Sequence, residues 1–149
     1  MKFLHALSAL FLVLSFSVGA LADEGDGWGR NSKYTKLYNS STVESFTGEI
    51  AKIDRDCRPM KDMASGFCVL VRDKEGHEIE AQVGPIWFTA FFREKWNVRE
   101  GDTVTVTGSM VEIDGKKVMM VRQGNKGDLK MACRSSSGLP VWDLDIKDF

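Results

Sequence analysis

The run "CRPMKDM" sets Cys57, Met60 and Met63 at three-residue steps, a thiol and two thioethers in a stretch with no strand pattern. Soft sulfur donors of this kind select Cu(I) over harder ions. Met110, Met119, Met120 and Met131 raise the thioether content further, and methionine also fills irregular cores. Cys57 has a second use. Cys68 stands near the start of the next strand-like run, so a hairpin would bring Cys57 and Cys68 together across a wide loop and leave Cys133 a lone thiol. Spacing does not fix connectivity, so a Cys57–Cys68 disulfide and three small apolar fillers both stand.

Other reactive groups are sparse. Beyond the N-terminal apolar run the histidine is His77, and no Ser/His/Asp order or metal-ligand motif converges on it. The carboxylate pairs Glu78/Glu80 and Asp54/Asp56 have strand spacing and belong on solvated outer faces. Cys-x-x-Cys and Cys-x-x-Cys-His are missing, which argues against a thioredoxin-type site and covalent haem. The expectation is no catalytic residue, no cofactor and no enzyme.

Two stretches are more idiosyncratic. One is the corner Gly84-Pro85-Ile86-Trp87, and the other is the ending from Arg134 through Gly138-Leu139-Pro140-Val141-Trp142. Trp87, Phe88, Arg134 and Trp142 are therefore candidate ligand-binding residues. The Arg134 fork suits a carboxylate or another anionic group, or it pairs with a nearby acid. Trp142, after a proline turn, serves a ligand or caps the domain.

These residues need elements to hold them. "VESFTGEIAKID" places Phe46, Gly48 and Ile50 on one face, with Gly48 marking a bend. "FCVLVRD" is apolar on both faces, and "HEIEAQVG" turns Ile79, Ala81 and Val83 inward. Gly84-Pro85 ends that strand, because proline has no amide hydrogen for a ladder and suits the first turn of a helix. In "PIWFTAFFREKWN" the pairs Trp87–Phe91, Phe88–Phe92 and Phe92–Trp96 are four apart, which predicts a helix. "DTVTVTGS" resumes strand alternation, "IDGKK" is a tight hairpin turn, Val118–Val121 returns, and "LKMAC" adds a last strand.

The order is three strands, a helix, then two strands and an extra one. That order suits an all-β, OB-fold-like small Greek-key barrel of five to six strands, with the helix between strands 3 and 4. The helix then plugs the barrel, with Trp87, Phe88, Phe91 and Phe92 as the plug.

The N-terminus carries Lys2, an apolar run from Leu7 to Val18, and Ala20-Leu21-Ala22. This is the layout of a secretory signal peptide over residues 1–22, shorter than the ~20 apolar residues that span a bilayer. The remainder divides into a polar, Gly-rich flexible arm at 23–41 and a domain at 42–149. The expected location is periplasmic or secreted, with no membrane association after cleavage. The 149 residues carry 20 basic and 21 acidic side chains, a net charge of −1. Loss of Lys2 moves this to about −2. The charges are interleaved and form no basic stripe, so nucleic acid is not an expected partner.

"YTKLYNSSTVESFTGEIAKID", "VGPIWF", "GDTVTVTGS" and "RSSSGLPVW" occur in that order from Tyr34 to Trp142. Together they resemble a family of small exported bacterial OB-fold proteins, some labelled DNA-binding protein, related to an OB-like domain of some magnetosome-associated proteins. The resemblance implies the fold and export, and no reaction. The chain departs from the family pattern near its end, where Cys133-Arg134-Ser135 replaces Leu-Arg-Asp. The reading is an exported, non-enzymatic binding protein for a small ligand or a protein partner. The alternatives are nucleic-acid binding and copper handling.

Overall fold

Strand β1 (Val43–Cys57) is long enough to serve two neighbours. Its first half pairs antiparallel with β4 (Thr103–Ile113), and its second half with β2 (Gly66–Arg72). The changeover needs a bend. Gly48 sits there, and a Cβ on it would overlap the Arg72 carbonyl, so only glycine allows the approach. A register shift between Ile50 and Lys52 adds a bulge.

In the computed structural model, which describes residues 26–144, the remaining strands are β3 (Glu78–Pro85), β5 (Lys116–Lys126) and β6 (Leu129–Ala132). The sheet order is β3-β2-β1-β4-β5-β6. A short parallel pairing, Ala81 with Met119 and Gln82 with Met120, closes the ring. This is the predicted OB-like barrel, six-stranded, with helix α1 (Ile86–Phe91) between β3 and β4. The β4–β5 turn has positive φ at Asp114 (51°) and Gly115 (77°), as a tight Asp-Gly hairpin requires.

The interior follows the alternation read from the sequence. Ile79, Ala81 and Val83 of β3 meet Val104, Val106, Met119 and Val121 in one apolar cluster. It is closely filled: the space left at its end amounts to about 30 Å³, room for a few water molecules at most.

A second cluster lies on the outer wall, where Met120 of β5 is buried with Trp28, Tyr34 and Met63. Residues 26–41, expected as a flexible arm, lie instead against the barrel. Trp28 and Tyr34 have 0% and 1% of their surface exposed, and the Tyr34 hydroxyl donates to Gln82 Oε1 at 2.8 Å. Two large aromatics find an apolar wall there, and their burial outweighs the polar, Gly-rich composition that suggested an arm. The predicted signal peptide lies outside the described residues.

The helix also differs from expectation. It is six residues long, too short to turn four aromatics inward. Phe88 is buried, but Trp87, Phe91 and Phe92 are 45%, 81% and 36% exposed. The barrel needs no plug of that size, because valine and methionine already fill it.

Candidate functional site

Pro85 precedes α1 with φ −66°, the angle its ring enforces, and starts the helix where β3 stops. Phe88 then faces inward, its ring 5.0 Å from that of Trp142 and 5.1 Å from that of Phe92. Trp142 arrives from the other end of the chain. A bridge between Arg134 and Pro140 closes the Ser135–Leu139 loop, and a 3-10 turn at Val141–Asp143 carries the indole onto the barrel end. Its Nε1 donates to the Trp28 carbonyl at 2.9 Å.

Arg134 sits behind this ring stack, 4% exposed. Its guanidinium carbon is 5.2 Å from the Trp142 ring centroid and 5.5 Å from that of Tyr34. Nη1 donates to the Gly138 carbonyl at 2.9 Å and to Thr35 Oγ1 at 3.2 Å. Among the described residues no carboxylate pairs with it. Burial lowers the Arg134 pKa from its usual value, and burial raises the Tyr34 phenol well above the ordinary range. Trp87, Phe88, Trp142 and Arg134, singled out as candidate ligand-binding residues, are linked in one run of edge-on and tilted ring contacts that ends on the guanidinium. Only the Trp87 end is open to solvent. The Arg134 end holds the C-terminal loop to the N-terminal segment.

Cys57 and Cys68 are joined by a disulfide with their Cα atoms 5.8 Å apart, and Cys133 is free and buried. A disulfide sulfur is not a thiolate ligand. Met63 is buried at 4% exposure in the second cluster, and Met60 packs at its edge. Lys33, Lys36 and Lys61 line the same cleft as these two methionines, an unfavourable setting for a cation. The structure does not assemble Cys57, Met60 and Met63 into a ligand set.

Two groupings were not foreseen. Asp73, Glu75 and His77 present ligand atoms within 4.8 Å of one another on the β2–β3 turn. Asp73 Oδ1 accepts from the Glu75 and His77 amides, both at 2.9 Å, so this carboxylate shapes the turn. The other is a cleft between α1 and the barrel end, lined by Arg55, Phe67, Ile86, Thr89, Arg93 and Trp96 among others, with no carboxylate on its walls. The Arg55 guanidinium carbon lies 5.3 Å from the Phe67 ring centroid. The sequence signal was present but diffuse: Arg55 and Arg93 are far apart in the chain, and only the fold brings them to one cleft.

The model of the MamS/MamX magnetosome protein family matches residues 42–131. No curated protein matches the chain. The matched span contains the barrel from β1 into β6, the disulfide, α1 and the arginine-lined cleft. Trp28, Tyr34, Arg134 and Trp142 lie on either side of it.

Proposed function

The chain belongs to the MamS/MamX magnetosome protein family, and from that premise we propose that it is an exported, non-catalytic binding protein that holds a partner protein on the α1 face. One observation carries this reading. The barrel interior is full, while three aromatic side chains of and next to α1, Trp87, Phe91 and Phe92, stand exposed beside it. Clustered exposed aromatics flanked by arginine are the composition of interface hot spots. A pocket that encloses a small molecule needs roughly 300–1,000 Å³. The barrel interior has about 30 Å³, and the two clefts of about 520 Å³ are open surface hollows that no α1 residue lines. A protein partner therefore suits the α1 face better than an enclosed ligand. His77 pairs with the Asp73 and Glu75 carboxylates of its own exposed turn. Export is supported by the signal-like N-terminus and by the Cys57–Cys68 disulfide, since such bonds persist in oxidising compartments.

A photo-crosslinking residue at position 91, compared with one at Lys117 on the β4–β5 hairpin, tests the reading in the native host. The expected result is one adduct of defined mass from position 91, absent at 117 and lost when Trp87→Asp is added. Adducts of equal yield at both positions, or none at either, would overturn it.

A further inference from the structure

We infer that the cleft under α1 receives an acidic segment of the partner protein, with one apolar side chain entering the cleft and flanking carboxylates pairing with Arg55 and Arg93. This rests on the partner-binding reading above and adds the partner's chemistry to it.

Three observations converge. First, the two arginines line the same cleft from different elements, Arg55 from β1 and Arg93 from the turn after α1. Among the described residues neither makes an ion pair. Other arginines do pair, Arg58 with Asp56 and Arg72 with Glu78, whereas these two converge on one cleft with no acid beside them on its walls. Two unpaired guanidinium groups over a cleft with no carboxylate make a local positive field in a chain whose net charge is −1.

Second, the floor is apolar. Phe67, Trp96, Val98 and Met131 line both this cleft and the end of the barrel core. The cleft is open and holds only about 40 Å³, so it admits the tip of one side chain and not a free cofactor-sized molecule. Third, Phe91 and Phe92, which stand in sequence between the cleft-lining Ala90 and Arg93, are exposed. An apolar tip flanked by acids satisfies the floor and the two arginines together. A basic or uncharged segment satisfies only the floor. The planar fork of arginine also favours carboxylate in a bidentate pair over a simple point charge.

The test uses three synthetic peptides, Glu-Glu-Phe-Glu-Glu, Gln-Gln-Phe-Gln-Gln and Lys-Lys-Phe-Lys-Lys, each with blocked ends, titrated into the ¹⁵N-labelled full domain. The expected result is that the acidic peptide moves the amides of Phe67, Thr89 and Trp96. It should bind about tenfold more tightly than the glutamine peptide, the scale of effect that two exposed ion pairs provide together. Arg55→Glu with Arg93→Glu should reverse the preference in favour of the lysine peptide. Both arginines are exposed, so a thermal melt close to that of the unmodified protein will show that the variant folds.

Equal binding of the acidic and glutamine peptides would overturn the acidic chemistry. So would shifts away from the cleft, a dimer formed through this face at the concentrations of the titration, or binding of phosphatidylglycerol vesicles in place of the peptides. The two readings fail separately. If Trp87→Asp abolishes the adduct at position 91 and the arginine variant does not weaken it, the partner face stands and the acidic partner falls.

Discussion

The indole of Trp28 donates to the carbonyl oxygen of Ala64 at 2.9 Å, across 36 positions of sequence. The Ala64 amide in turn donates to the Asp26 carbonyl at 2.8 Å. The N-terminal segment and the loop closed by the disulfide thus lock into each other. Gly66 provides the space, because a Cβ there would overlap the Trp28 ring. Trp28→Ala should cost about 3–5 kcal/mol, and Gly66→Ala about 1–3 kcal/mol by overpacking. Urea unfolding gives the magnitudes. Trypsin should cut at Lys33 or Lys36 much faster in both variants than in the unmodified protein, since the segment that carries them is no longer held against the barrel.

Arg134 is the joint between the two chain ends. Arg134→Met keeps much of the bulk and loses the charge, both Nη1 hydrogen bonds and both ring contacts. A hydrogen bond to a charged group contributes about 1.5–3 kcal/mol and a desolvated cation–π contact about 2 kcal/mol. Removing the buried charge returns part of this, so the expected net loss is about 2–4 kcal/mol. Arg134→Lys should recover less than half of it, because an ammonium has no plane to lie between Tyr34 and Trp142. Chemical denaturation of the two variants side by side decides this.

The disulfide closes a loop with a sequence separation of 11. Cys57→Ala with Cys68→Ala should lower stability by about 2–4 kcal/mol. Dithiothreitol should shift the unmodified protein toward the variant's guanidinium midpoint and leave the variant where it is. A reductant-insensitive midpoint in the unmodified protein would show that the bridge had not formed.

Alkaline pH should destabilise the fold. Burial pushes the Cys133 thiol up to about 12 and raises the Tyr34 phenol well above its usual range. In the unfolded chain these groups ionise near ~8.5 and ~10. Above those values the unfolded state has lost protons that the native state keeps, so stability falls as pH rises. Urea midpoints from pH 7 to 11 should decline from about pH 8.5 upward. Cys133→Ala should remove the earliest part of that decline.

Much of the barrel was legible because its strands obey a period of two, as in Ile79, Ala81 and Val83. The Gly48 bend and the Asp114-Gly115 turn were legible because only certain residues tolerate those geometries. The covering of the outer wall was harder to see. Its trace was the unbroken run Val118-Met119-Met120-Val121, buried throughout because Met119 faces the barrel and Met120 faces Trp28 and Tyr34. A strand apolar on both faces implies a second layer, but periodicity does not say which segment supplies it. The α1 aromatics misled for a related reason. Four-residue spacing records a shared helical stripe, not what that stripe faces, and here much of it faces solvent.

The β3–β5 seam joins only two residue pairs, and beyond it β5 passes directly to β6. One edge of β5 is thereby shared between two strands. The outermost strand, β6, is four residues long and carries Lys130 exposed, and β3 ends in Pro85. Short margins broken by lysine and proline are poor templates for another backbone. Copies crowded together therefore have little free edge on which to extend one another's sheets, and added strands are a poor means of contact for this barrel.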